Sequence, residues 1–291
     1  MKIRLGKTRK NEFPFAIGIP AIVWQVLFFY LPLTLLVISS FLKFSATGAF
    51  EGVTFSHMKL FLSPTYFKVI LASFFLALSN SILCLLIAFP LAHYMSFAGR
   101  KYRNVCLFFL IVPFWTNFLL HVYAWFYVLE RHGFINTLLL KLHIISEPIQ
   151  FLNSMPAILI MMVYYYLPFM VLPLYSSLER FKFNLIEASY DLGASFGVTF
   201  RRILLPLTSR GIRAGFFLVF IPSFGEFVIP ELMGGDKKMF VGTVVSQYIL
   251  GEGTGSLGAA FTFLSGIFLL ITTVLLYILI TNLLKPRIYH G

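Results

Sequence analysis

Charge is scarce in this 291-residue sequence: Asp, Glu, Lys and Arg together make up 12% of it, about half the share usual in a soluble domain. Carboxylates are rarer still, 11 against 23 basic residues, and no nucleophile–base constellation is visible among them. Only two cysteines occur, Cys84 inside one apolar run and Cys106 near the start of another, which excludes the disulfide framework of a small secreted domain. The six histidines show no HExxH or paired-ligand spacing, so metal catalysis has no support. A nucleotide-phosphate loop is missing as well. The only Gly-Lys-Thr is Gly6-Lys7-Thr8; a P-loop needs another glycine five residues before Gly6, where Met1 stands, and a preceding strand. No linker, composition shift or internal repeat divides the chain, which reads as one domain over residues 1–291.

What is abundant is apolar surface: 59% hydrophobic residues, with 35 Phe and 14 Tyr. A net charge of +12 would suit nucleic acid only if the basic residues gathered on one surface. They are scattered between apolar runs, so no nucleic-acid partner is expected and lipid is. A helix crossing ~30 Å of hydrocarbon takes roughly 20 apolar residues. Reading between charges gives six such spans, within 13–42, 69–95, 104–129, 150–178, 212–233 and 256–284, and an all-α integral membrane protein. The first follows a basic head, "MKIRLGKTRK", in the manner of a signal peptide. Its apolar run is about twice as long as a signal's hydrophobic region, which favours an uncleaved span.

Orientation follows from the basic residues. With the N-terminus inside, segments 1–12, 96–103, 179–213 and 285–291 hold 16 Lys and Arg, against 7 in the three outer loops. The positive-inside rule places both termini in the cytoplasm. The basic tail 1–12 and the loop 179–213 are then cytoplasmic.

That loop carries an unusual segment, "EASYDLGASFGVTFRRILLP" over residues 187–206. Read as a helix, 178–192 sets Leu178, Phe181, Leu185, Ala188 and Leu192 on one stripe, and Glu187 with Asp191 on another face. Gly193 follows as a C-cap or turn, since glycine enters the left-handed region without a Cβ penalty. Phe196, Phe200 and Ile203 form a second short stripe, and Pro206 marks the start of span five. A loop lying on lipid headgroups explains the arginines and phenylalanines. It does not explain an unpaired acidic pair beside an anionic leaflet, which a docking surface does.

Glu187-Ala188-Ser189, three residues, Gly193, nine residues, then Ile203-x-Leu205-Pro206 resembles the EAA loop of ABC-importer permeases, with Ser189 replacing the second alanine. The resemblance implies a six-helix, type I (MetI-like) permease bundle with no catalytic residues or cofactor of its own. It further implies that Glu187, Ala188, Ser189, Gly193, Ile203, Leu205 and Pro206 couple the chain to a separate ATPase. Expected partners are a second homologous permease, two ATPase subunits and an external binding protein, in a bacterial inner membrane. The translocation path would lie between the two permeases.

"PFWTNFLLHVYAWF" (113–126), "YYYLPFMVLPLY" (164–175) and "FIPSFGEFVIPELMGG" (220–235) are similar to the spermidine/putrescine-type branch, which implies a small cationic substrate. Members of that branch often carry arginine where His121 stands here, and His121 itself reads as an interhelical hydrogen-bonding residue. Glu226 falls within the membrane, ~20 Å beyond Arg213 along a helix. A carboxylate there costs ~2.5–3.5 kcal/mol, so it should meet either a cationic substrate or a structural partner. Pro222, Gly225 and Pro230 suggest a broken helix around it. Trp115, Tyr123 and Trp125 are candidates for a cation cage or for an interfacial aromatic belt. "GEGTGSLGAA" (251–260) reads as small residues for close helix packing. The alternatives are an ABC importer of another small solute, or a self-sufficient secondary transporter or channel for a small cation, which would need several intramembrane charges and an inverted repeat.

Overall fold

Long apolar runs fold as helices in a bilayer because every backbone polar group must be satisfied within the segment. The computed structural model describes residues 13–45, 49–97, 99, 101–181, 184–235, 238–251 and 255–285; the basic tail 1–12 lies outside them. The first span joins α1 (Phe13–Gln25) to α2 (Leu31–Ser39) through one π-helical turn, Val26–Tyr30. The extra residue in that turn precedes Pro32, which has no N–H to give to a regular ladder. A short antiparallel hairpin, β1 (Leu42–Phe44) and β2 (Phe50–Val53), follows in register Lys43↔Gly52. It is an addition to the helical reading. Lys43 and Glu51 pair across it at 2.7 Å, and the hydrogen bond from Lys43, then its charge, holds the Glu51 carboxyl below its usual range.

Then come α3 (Ser56–Phe61), α4 (Pro64–Ser96), α5 (Arg103–Ile111), α6 (Phe118–Leu129), α7 (Phe134–Lys141) and α8 (Met155–Glu179). After a turn the chain continues through α9 (Asn184–Asp191), α10 (Phe196–Thr199), α11 (Leu205–Phe224), α12 (Val228–Gly234), α13 (Val241–Leu250) and α14 (Gly255–Leu283). Among the described residues, five helical stretches are long and apolar enough to cross a membrane, and six if the bent pair Arg103–Trp115 and Phe118–Lys141 counts as one span.

α4, α8 and α11 pack together as the centre of the bundle. Their mutual faces bury Ala77, Ala88, Met161, Met170, Leu174, Val219 and Phe220. Glycine permits the closest crossing. A Cβ on Gly211 would lie 2.7 Å from the Pro173 carbonyl oxygen, and one on Gly215 would lie 3.0 Å from that of Met170. Between apolar helices in lipid, such backbone proximity replaces the missing hydrophobic drive. The same holds at Gly258, whose Cβ would meet Ile249 Cγ1 at 2.8 Å, in keeping with the close packing expected of 251–260; residues 252–254 lie outside the described set. The first span and α14 sit at the periphery, with 0% and 6% of their most apolar windows buried within the chain.

Three expected boundaries are corrected. The third span, read as one helix over 104–129, is broken: a 3-10 turn at Val112–Trp115 ends its first half, Asn117 caps α6 by accepting the Leu119 N–H at 2.8 Å, and the halves meet at 101°. The helix expected over 178–192 is two helices, because the chain turns at Phe181, whose N–H bonds the Leu178 carbonyl and whose ring packs on Phe97. The helix that carries the fifth span begins earlier and ends sooner than 212–233. It runs from Phe196 to Phe224, with a π-turn at Phe200–Leu204 that accommodates Pro206, so this proline sits inside a continuous helical stretch.

Candidate functional site

Two regions gather the residues singled out by sequence. In the first, α9 presents Ile186 and Ser189 inward, while Glu187, Ala188 and Asp191 face out. The expected stripe is therefore partly inverted: Leu178 is buried in α8, whereas Leu185 and Leu192 are exposed, Leu192 by 88%. Phe196 is exposed too, and only Phe200 of the second stripe reaches the bundle, edge-on to Phe89. Leu185, Ala188 and Leu192 of the displaced stripe line a mostly apolar hollow of about 310 Å³ together with Val198, Arg202 and Ile203. Leu204, rather than its neighbours Ile203 and Leu205, is the buried residue there.

Gly193 has φ +77° and closes α9 with a Schellman pair: its N–H bonds the Tyr190 carbonyl at 2.9 Å, and that of Ala194 bonds Ser189 at 3.0 Å. The replacement at Ser189 has a physical use. Its hydroxyl meets Thr199 Oγ1 at 2.8 Å in a buried contact, tying α9 to the helix that becomes span five. The carboxylates of Glu187 and Asp191 have no hydrogen bond or ion pair among the described residues.

In the second region α11 stops at Gly225, whose N–H bonds the Pro222 carbonyl. The Glu226 carboxylate takes over the helix-capping role. Oε1 accepts the N–H groups of Phe227 and Val228, each at 3.1 Å, at the start of α12. Oε2 accepts the Tyr166 hydroxyl at 2.8 Å. Tyr166 lies midway along the 25-residue α8, which sets the carboxylate near the middle of a span roughly 37 Å long. The break expected from Pro222, Gly225 and Pro230 is present. Buried groups on α4 brace it: Asn80 donates to Ser223 Oγ at 2.8 Å, and Ser73 Oγ accepts the Val241 N–H at 2.7 Å.

No Lys, Arg or His pairs with Glu226 among the described residues. Aromatic rings lead up to it instead. Trp125 packs on Tyr164 at 5.4 Å, Phe118 on Tyr165 at 4.7 Å, and Tyr165 on Tyr166 at 5.3 Å. The expected trio is not brought together. Trp115 precedes the 101° bend, and Tyr123 and Trp125, two apart, point about 200° away from each other around α6. Trp115 and Tyr123 are exposed, with no ring contact among the described residues. The tyrosines 164–166 were visible in sequence only as a family likeness. Their relation to Glu226 spans 60 residues and has no local signal.

His121 secures the bend. With its proton on Nε2 it donates to the Pro113 carbonyl at 3.0 Å, while Nδ1 accepts the Tyr164 hydroxyl at 2.9 Å. Thr116 Oγ1 contacts the same Nε2. This is the interhelical role expected of the residue.

Residues 85–290 match the family described as binding-protein-dependent transport system inner membrane component. The chain belongs to that family. This inner membrane component is 40% identical to the spermidine/putrescine transport system permease protein PotB of Escherichia coli (strain K12), over 85% of its own length and 92% of the relative's. It is 39% identical to the PotB of Haemophilus influenzae (strain ATCC 51907 / DSM 11121 / KW20 / Rd), over 78% and 80%. It is 31% identical to the inner membrane ABC transporter permease protein YdcU of Escherichia coli (strain K12), over 72% and 71%. Among solved structures, a chain of a bacterial ABC transporter involved in the import of the acidic polysaccharide alginate superposes with a TM-score of 0.68 at 17% identity, covering 94% of this chain and 96% of that one. That likeness establishes the shared fold.

Proposed function

We propose that the chain is a membrane-spanning subunit of an ATP-driven importer for small polyamines of the spermidine and putrescine kind. The observation that carries the substrate class is Glu226: a mid-span carboxylate with no cationic partner among the described residues, beside the stretch of α8 that holds the ring pairs Trp125–Tyr164 and Tyr165–Tyr166. An anion at that depth costs ~2.5–3.5 kcal/mol, and a passing ammonium group would offset it. Rings supply weaker cation contacts of ~0.5–2 kcal/mol along the way. The relatives named as spermidine/putrescine permeases support the same class. Trp115 and Tyr123, exposed on the surface of the isolated chain, would join the path only where the partner permease covers them.

In this reading the whole chain acts as one transmembrane domain, with both termini on the cytoplasmic side of a bacterial inner membrane. An external binding protein delivers the substrate, and a second homologous permease completes the path. Two separate ATPase subunits supply the energy through Glu187, Ala188, Ser189, Gly193, Ile203, Leu205 and Pro206. The unpaired Glu187 and Asp191 beside the apolar hollow support docking, because they await a cation from a partner. The Ser189–Thr199 contact and the unbroken helicity from Phe196 to Phe224 then link ATPase closure to span five.

A second reading of Glu226 rests on its three hydrogen bonds: it is the cap that shapes the break. Glu226→Gln separates the two. It keeps the size and the Tyr166 contact but removes the charge. A charged hydrogen bond contributes ~1.5–3 kcal/mol, so putrescine and spermidine uptake per assembled complex should fall roughly ten- to hundredfold. Unchanged normalised uptake, with less complex assembled, assigns the residue to structure alone.

A further inference from the structure

We propose that the groove between the end of α8 and the first turns of α11 is a binding site for an anionic phospholipid. The groove has a volume of about 480 Å³ and opens to the surface. Its walls are apolar, with Phe181 and Leu207 among them, while Ser176, Ser177, Arg180 and Arg210 supply hydroxyls and two guanidinium groups. Among the described residues, no carboxylate lines it.

The neighbouring arginines are engaged. Arg103 pairs with Glu179 at 3.2 Å, and Arg213 donates to Thr281 at 3.0 Å and lies over the Tyr277 ring. The side chains of Arg180 and Arg210 have neither an ion pair nor a hydrogen bond among the described residues. Arg180 caps α8, so the helix dipole accounts for its position. Arg210 sits in a helix interior, where the dipole accounts for nothing. Two guanidinium forks lining one groove match a phosphate diester.

Depth and surface select a lipid over a free phosphate. Arg180 follows a 25-residue helix long enough to cross ~30 Å of hydrocarbon, so the guanidinium lies at headgroup level. From there Leu172 on α8 and Leu207 and Leu218 on α11 continue as an exposed apolar track, 36%, 53% and 50% accessible. An acyl chain covers such a track; inorganic phosphate leaves it bare. Basic grooves between membrane helices select anionic headgroups on these grounds. The proposal holds whether or not the transported substrate is a polyamine.

The full chain, purified in mild detergent with its co-purifying subunits, should retain phosphatidylglycerol through delipidation, counted by native mass spectrometry. Arg180→Gln and Arg210→Gln should each lower retention about fivefold, from ~1 kcal/mol per basic residue at an anionic surface. Arg201→Gln, an equal charge change outside the groove, should leave it unchanged, and Arg→Lys at either position should restore part of the loss. Equal loss with Arg201→Gln would mean diffuse surface charge and overturn the site. Displacement of the lipid by millimolar inorganic phosphate alone would make it an anion site without a lipid. Unaltered retention in the double variant, with loss of a co-purifying subunit, would make the groove a protein interface.

Discussion

At Gly193 the backbone stands at φ +77° with nothing within 4 Å of an added Cβ. Substitution there is penalised by conformation and not by collision. Asparagine visits this region far more readily than a β-branched residue. Gly193→Val should therefore cost ~1 kcal/mol or more and lower ATPase co-purification or substrate-stimulated hydrolysis, while Gly193→Asn keeps most of both. Equal behaviour of the two variants would mean that the Schellman turn is not what the loop requires. Tyr166 offers a second test. Tyr166→Phe removes the donor to Glu226 Oε2 without opening a cavity, and the carboxylate loses an interaction of ~1.5–3 kcal/mol. Uptake per assembled complex should change while membrane insertion does not, as measured by transport and by the amount of chain in the membrane fraction. Gly193 was legible in the sequence because a turn is a local property of backbone and glycine. Tyr166 was not, because only packing of α8 against the end of α11 brings it to Glu226.

Among the elements, the broken fifth span depends on what abuts it. A Cβ on Gly242 of α13 would stand 2.3 Å from the Gly225 carbonyl oxygen and 2.8 Å from that of Glu226. Both are backbone atoms, so they cannot rotate aside. Gly242→Ala should therefore shift the break itself, costing ~1–3 kcal/mol as overpacking does, and should lower the melting temperature of the detergent-solubilised complex. Gly266 in α14 has nothing within 4 Å, so Gly266→Ala should be neutral or slightly stabilising by its better helix propensity. A matched loss at both sites would remove the close approach at Gly242 as the cause. The prolines and glycines of 220–235 announced a break here. The bend in the third span was less visible, since Pro113 alone does not say whether a helix kinks or stops. The Asn117 cap and the His121 bonds to Pro113 and Tyr164 decide that it stops.

For the whole molecule, the excess of basic residues in 1–12, 96–103, 179–213 and 285–291 predicts which loops face the cytoplasm. Single cysteines at the exposed Ser146 and Ser195, in a background with Cys84 and Cys106 replaced, test it in intact spheroplasts. An impermeant thiol reagent should label position 146 and spare position 195; the reverse pattern would invert the orientation and the coupling assignment with it. The apolar spans and the family loop were determined by the sequence, because hydrophobicity, charge and glycine act locally, on the segment that carries them. Only the tertiary structure decided that the acid at 226 is held by a tyrosine 60 residues away, that the loop turns its leucines outward, and that two arginines share one groove. Those relations arise where helices cross. Side chains there meet through packing in three dimensions, and no spacing along the chain encodes the meeting.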